Sequence, residues 1–187
     1  ANLLDGATQP PLQEGAQEAE QDDLTPPDPD SLIATESELA AARLTPKCIV
    51  RDHTFADVAQ VIAPGGTGKT TVLIHESVHI ALGRPVWGLP VESPGWTLVI
   101  TAEDRRERLV ARLREILASL DLTPDERRTA IRGFRVWDVS GLGVKLVRAT
   151  DGNVILTGLA DSIVKTYAQD PPAVIIFDPL VSFGASE

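Results

Sequence analysis

The stretch Val61-Ile-Ala-Pro-Gly-Gly-Thr-Gly-Lys-Thr-Thr71 decides the fold of this 187-residue chain. Two apolar residues lead into small and turn-forming residues, and Lys69 then opens a helical pattern. Glycine lets the backbone turn closely around an anion, and the N–H groups at the start of the following helix point toward it. The stretch therefore predicts a phosphate-binding loop between a strand and a helix.

The loop matches the pattern G-x-x-x-x-G-K-[ST] except at its first position, where Ala63 replaces glycine. A small residue is acceptable there if its φ is negative. In this pattern Lys69 is expected to reach the β- and γ-phosphates of a nucleotide, and the Thr70 hydroxyl is placed to ligate Mg²⁺. A chance glycine-rich turn is the weaker interpretation, because the flanking patterns fit the motif. The residues expected to bind nucleotide are Pro64, Gly65, Gly66, Thr67, Gly68, Lys69, Thr70 and Thr71.

Strand and helix patterns alternate along the rest of the chain and predict an α/β fold with a mostly parallel sheet flanked by helices. Residues 48–55 are interpreted as an edge strand or a lead-in to the pocket, and residues 144–156 as a β-hairpin around Asp151-Gly152-Asn153. The predicted strands are 57–63, 96–101, 134–139 and 173–177, and the predicted helices are 69–82, 104–120, 123–131 and 159–168.

The acidic charge of the chain is concentrated near its start. Residues 1–45 hold ten acidic side chains and one arginine, whereas the other 142 residues are close to neutral. Overall charge therefore argues neither for nor against a nucleic-acid partner. We expect two parts, an acidic, Pro-rich tail with a short helix over residues 1–46 and a nucleotide-binding core over 47–187.

The tail contains few apolar residues. Over residues 1–30 they cannot offset the ordering entropy, so this segment is expected to be disordered or loosely attached. A helix is predicted over 31–44, begun by a capping box between Thr35 and Glu38.

Composition also bears on the compartment. No signal peptide pattern and no apolar run near 18 residues is visible, so we expect neither secretion nor a membrane partner. Cys48 is the single cysteine, which fits a reducing cytoplasm. The sequence contains no methionine, even at its start, which suggests a fragment of a longer protein.

Two carboxylates follow strand patterns and are candidates for the site. Asp178 ends the apolar strand 173–177, and ligands of open α/β sheets bind beyond the carboxyl ends of the strands. A carboxylate there can hold Mg²⁺ beside the Thr70 hydroxyl, although it could also simply cap a turn. Glu103 ends another buried strand and is the candidate for orienting an attacking water. Its neighbour Asp104 is interpreted as the N-cap of the next helix.

Two further clusters allow more than one interpretation. Five arginines lie outside the apolar stripe of the helix predicted over 104–120, and a solvated face is favoured over contact with DNA or an adjacent subunit. His75 and His79 have zinc-ligand spacing, but no third ligand is near in sequence, so ordinary helix-face histidines are favoured. The arginines are Arg105, Arg106, Arg108, Arg112 and Arg114.

Over residues 47–187 the chain resembles the RepA-like AAA ATPases, RecA-fold P-loop proteins related to hexameric plasmid replicative helicases. The motifs that carry this resemblance are Ala63-Pro-Gly-Gly-Thr-Gly-Lys-Thr-Thr71, Gly83-Arg-Pro85, Thr101-Ala-Glu-Asp104, Arg112-Leu113 and Phe177-Asp-Pro-Leu-Val-Ser-Phe-Gly184.

The resemblance implies an ATPase that uses Mg²⁺. Lys69 and Thr70 would contact the nucleotide, Glu103 would be the catalytic glutamate and Asp178 the Walker B aspartate. It further implies a homo-oligomeric ring, possibly a hexamer, with ATP between subunits and single-stranded DNA in its channel. The sequence stops at Glu187, before the later strands, sensor residue and arginine finger of such a core, so we expect it to bind ATP better than it hydrolyses it.

The function that fits these features is the ATP-hydrolysing core of a DNA helicase from a plasmid or mobile element. A RecA- or RadA-like recombination ATPase and a non-catalytic nucleotide-dependent switch remain alternatives. A small-molecule kinase is disfavoured, because no arginine-bearing lid follows the phosphate loop.

Overall fold

A computed structural model of the chain describes residues 28–150 and 153–184. Its contacts divide the chain into two compact units, Ala1–Arg43 and Leu44–Glu187. The segment 1–30, for which disorder is expected, lies mostly outside the described residues. Two residues of the predicted hairpin turn, Asp151 and Gly152, lie outside them as well.

The described part of the first unit contains a 3₁₀ turn over Pro29–Leu32 and helix α1 (Glu36–Ala41). The capping box is confirmed, with the Thr35 hydroxyl accepting from the Glu38 N–H and the Glu38 carboxylate accepting in return from the Thr35 N–H. The helix is shorter than predicted. Its residues are all exposed, so no packing extends it beyond the run that the cap begins.

The second unit is an α/β fold, which confirms the predicted fold class. Its elements are β1 (Cys48–Val50), β2 (Thr54–Phe55), α2 (Lys69–Leu82), β3 (Thr97–Thr101), α3 (Arg106–Ser119), α4 (Pro124–Arg132), β4 (Phe134–Asp138), β5 (Val147–Thr150), β6 (Asn153–Leu156), α5 (Leu159–Tyr167), β7 (Val174–Asp178) and a 3₁₀ turn over Leu180–Phe183.

Three parallel strands form the sheet that positions the site. Their order is β4-β3-β7, and the register aligns Thr101 of the central strand with Asp138 on one side and Asp178 on the other. The carboxyl ends of all three strands are therefore level at one edge. The remaining strands pair as two antiparallel hairpins, β1-β2 and β5-β6.

All five residues of β3 are buried, and successive side chains of a strand point to opposite faces of the sheet. Both faces of β3 are therefore covered, as is usual for a parallel strand with helices on each side. Val99 packs in a cluster with residues of α2, α3 and α4, whereas Leu98 and Ile100 pack with Ile163 of α5 and with Phe183. The central strand is thus held from both sides, and with it the edge at which the residues after Thr101 emerge.

Leu109 of α3 is fully buried in the first of these clusters, whereas the next residue, Val110, is 43% exposed. We expect Leu109→Ala to lower the free energy of unfolding by ~3 kcal/mol, since such core truncations cost ~2–5 kcal/mol. Val110→Ala, a control on the same turn, should cost less than ~1 kcal/mol. Denaturant unfolding of both variants provides the measurement. Equal losses would show that α3 does not pack through Leu109.

The prediction of a strand over 57–63 is wrong. These residues form no ladder, and Val58 and Ile62 are 90% and 86% exposed. Apolar and β-branched residues favour a strand only where a neighbouring strand supplies hydrogen bonds and a packing surface. Among the described residues, β7 pairs with β3 alone and no strand lies on its other side. The segment before the phosphate loop is therefore exposed and forms no strand.

Candidate nucleotide site

A cavity of about 470 Å³ lies at the carboxyl edge of the sheet. Three separate stretches of the chain line it: the loop that precedes α2, the residues that follow β3, and the end of β7. The lining residues are Gly65, Gly66, Thr67, Gly68, Lys69, Thr70, Thr71, Glu103, Asp104, Arg108, Arg112, Asp178 and Pro179. All of the predicted site residues except Pro64 line this cavity, and the carbonyl oxygen of Pro64 accepts two hydrogen bonds within the same loop.

The loop backbone has the conformation that its glycines permit. Gly66 and Gly68 have φ of +76° and +89°, values that L side chains rarely adopt. Ala63 is not among the residues with positive φ, so alanine causes no strain at the first position of the motif. Gly68 is the N-cap of α2 and has no side chain with which to cap the helix. No side chain at the N-cap position therefore occupies the first N–H groups of α2, and these groups can face an anion.

The Lys69 ammonium donates hydrogen bonds to the carbonyl oxygens of Ala63 and Pro64, at 2.7 and 2.8 Å. The Thr67 hydroxyl donates to the second of these carbonyls as well, at 2.8 Å. These bonds tie the lysine across its own loop. They involve neutral carbonyl acceptors, and a negatively charged phosphate oxygen would be a stronger acceptor for the same ammonium.

Thr70 and Asp178 are in direct contact although they are far apart in sequence. The Thr70 hydroxyl donates to Asp178 Oδ2 over 2.7 Å. A hydroxyl and a carboxylate are the hard oxygen donors that Mg²⁺ takes from proteins, usually with water completing its shell. The two groups therefore fit a magnesium ion in their chemistry and in their proximity.

The chain matches the AAA domain family over residues 25–187. It belongs to this family. The family is one of P-loop, nucleotide-binding ATPases. No curated protein and no solved structure matched the chain. In the part of the chain that the structure describes, no helix has the length and apolar character needed to cross a membrane.

In this AAA domain, Glu103 and Asp104 both line the cavity but differ in their surroundings. Glu103 is exposed, whereas the side chain of Asp104 is mostly buried and accepts from Arg112 at 2.5 Å and from Arg108 at 3.3 Å. The prediction that Asp104 is an N-cap is wrong. The N-cap of α3 is Arg105, and the carboxylate of Asp104 pairs with the two arginines instead.

The start of α3 is capped from a neighbouring strand. The Arg106 N–H donates to Asp138 Oδ2 over 2.9 Å, and Asp138 Oδ1 accepts from the hydroxyl and the N–H of Ser140. The Ser140 hydroxyl, followed by the Arg106 N–H, lowers the pKa of Asp138. Asp138 is thus kept ionised where it anchors the helix beside the cavity.

Sequence reasoning missed Arg108 and Arg112 as site residues. It favoured a solvated face, yet both line the cavity. The available signal was the spacing of the two arginines, since residues four apart lie on the same side of a helix.

The rings of the two histidines of α2 lie against one another in a tilted arrangement, with centroids 4.3 Å apart, and His75 stacks on Trp87 at 4.6 Å. Burial, and secondarily the nearby His79, lower the pKa of His75. Within the described residues of this AAA domain no group of three or more ligating side chains could hold a metal ion. Through His75 the pair contacts Trp87 in the turn that follows α2.

Proposed function

We propose that the chain binds ATP together with Mg²⁺ and hydrolyses the terminal phosphate. The observation that carries this proposal is the convergence of the phosphate loop, the end of β3 and the end of β7 on one cavity. A basic side chain, a hydroxyl–carboxylate pair and a free carboxylate are the parts that phosphoryl transfer to water requires.

Each part has a distinct task in this reaction. Lys69 exchanges the carbonyls of Ala63 and Pro64 for phosphate oxygens, and the N–H groups at the start of α2 donate to the same phosphates. Thr70 and Asp178 would hold the Mg²⁺, which supplies positive charge to the phosphate oxygens. Glu103 orients a water and accepts its proton as the new O–P bond forms and the bond to the β-phosphate oxygen breaks.

Replacing Asp178 tests the magnesium part of this proposal. We expect the unmodified chain to bind a fluorescent ATP analogue about tenfold or more tightly with Mg²⁺ than with a chelator, and Asp178→Asn to lose most of that difference. Asp125→Asn, an exposed aspartate of α4 outside the cavity, is the matched control and should keep it. A full magnesium effect in Asp178→Asn would exclude this carboxylate as a ligand.

We further propose, from the resemblance to RepA-like ATPases, that the protein containing this domain is a ring-forming DNA helicase that acts on single-stranded DNA. Support comes from the motifs quoted above and from membership of the AAA domain family. Strand-displacement and strand-exchange assays on the longer protein test the helicase activity. Measurement of its mass in solution tests whether it forms a ring-sized oligomer. Strand exchange without displacement would favour a recombination ATPase. Nucleotide binding without turnover would favour a switch.

A further inference from the structure

The cavity contains a shared ion pair whose members are not equivalent. Asp104 holds Arg112 at 2.5 Å and Arg108 at 3.3 Å. The Arg112 side chain is 37% exposed, whereas that of Arg108 is 76% exposed. Arg112 therefore pairs with this carboxylate more closely than Arg108 does, and it is more shielded from solvent.

The charges that line the cavity are balanced in the described residues. The carboxylates of Glu103, Asp104 and Asp178 face the cations of Lys69, Arg108 and Arg112. A nucleoside triphosphate brings about one more negative charge than a diphosphate, and that charge lies on the terminal phosphate. The group best suited to neutralise this extra charge is a cation that can leave its carboxylate at little cost in free energy.

We propose that Arg108 is a specificity-determining residue that leaves Asp104 for the terminal phosphate of a bound nucleoside triphosphate, so that the site distinguishes triphosphate from diphosphate. This inference rests on the proposed function of the same cavity. Arg112 stays on Asp104 and keeps that carboxylate neutralised while Arg108 moves.

The energetics favour this exchange. The guanidinium of the Arg108–Asp104 pair is exposed, and such a contact contributes little, because water and salt screen it and the arginine side chain must be ordered. The guanidinium of Arg108 can form two parallel hydrogen bonds to phosphate, which are shorter and stronger than those to a neutral acceptor. Breaking the 3.3 Å contact is thus easily offset. Breaking the contact of Arg112 would uncover a carboxylate that is mostly buried.

The sequence position supports the same assignment. Glu103, the proposed water-orienting residue, and Asp104 are adjacent, so the arginine pair lies at the end of the cavity where the terminal phosphate would react. The phosphate loop and Lys69 are supplied by a different segment, before α2. Arg108 therefore acts on the terminal phosphate, and the loop holds the phosphates common to both nucleotides.

The test compares affinities for ADP and for a nonhydrolysable ATP analogue with an imido bridge, each with Mg²⁺, in the 187-residue chain. We expect Arg108→Gln to lower the ratio of analogue affinity to ADP affinity about tenfold, and Arg108→Lys to lower it less because the charge remains. Arg114→Gln is the matched control. Arg114 lies on the same helix, is 70% exposed and pairs with Glu115 outside the cavity. Thermal unfolding of every variant checks the fold.

An unchanged ratio in Arg108→Gln, with tight binding of both nucleotides, would overturn this inference and leave the proposed function standing. An equal drop in Arg114→Gln would also overturn it, because the effect would then come from the general charge of α3. Failure of the unmodified chain to bind either nucleotide would refute the proposed function and this inference with it.

Discussion

Replacing Lys69 with alanine is expected to weaken ATP binding about a hundredfold. Hydrogen bonds to charged groups are worth ~1.5–3 kcal/mol each, and about 1.4 kcal/mol corresponds to a tenfold change in Kd. The ammonium lies within the phosphate loop, and its hydrogen-bond partners among the described residues are the neutral carbonyls of Ala63 and Pro64. Its removal costs the loop little in folding stability and deprives the phosphates of their closest cation.

Titration with a fluorescent ATP analogue measures this effect. The control is Lys165→Ala, which removes a lysine from the last turn of α5, outside the cavity, and should leave Kd within twofold. Arginine at position 69 keeps the charge but is bulkier, so Lys69→Arg should bind more weakly than the unmodified chain. If Lys69→Ala bound ATP as well as the unmodified chain, the loop would not be a phosphate cradle.

Local signals were enough to predict much of the site. The phosphate loop is one continuous stretch, and Glu103 and Asp178 each follow an apolar strand, so strand ends and glycine spacing identify them without any knowledge of pairing. The register then brings the strand ends level, with Thr101 opposite Asp178. That alignment sets Asp178 at the edge of the sheet, and its carboxylate accepts from the Thr70 hydroxyl there.

Features that depend on distant partners could not be predicted in this way. The segment 57–63 has strand-forming residues, but whether it becomes a strand depends on a neighbour that its own sequence does not specify. The capping of α3 by Asp138 joins residues 32 positions apart, so the local candidate, Asp104, was chosen in its place. Asp104 was then free to hold Arg108 and Arg112, which sequence periodicity alone had assigned to solvent.

Replacing Glu103 with glutamine is expected to lower the rate of ATP hydrolysis by ~10²–10⁴-fold, the usual contribution of a positioned general base. Glutamine has nearly the same shape and can still contact water, but it cannot accept a proton. ATP affinity should stay within about threefold, because in the proposed reaction Glu103 contacts the attacking water and the loop, a separate segment, holds the phosphates. Steady-state hydrolysis and nucleotide titration on the same preparation separate the two effects.

Glu107→Gln is the matched control for this prediction. It makes the same chemical change four residues further along the chain, at an exposed position of α3 that lies outside the nucleotide cavity, and it should leave turnover unchanged. If Glu103→Gln hydrolysed ATP at the original rate while still binding it, the proton acceptor would have to be another carboxylate of the cavity. Asp104 pairs with Arg112 and Asp178 accepts from the Thr70 hydroxyl, whereas Glu103 is exposed to solvent at the cavity. Hydrolysis that survives without Glu103 would therefore contradict the catalytic assignment at its centre.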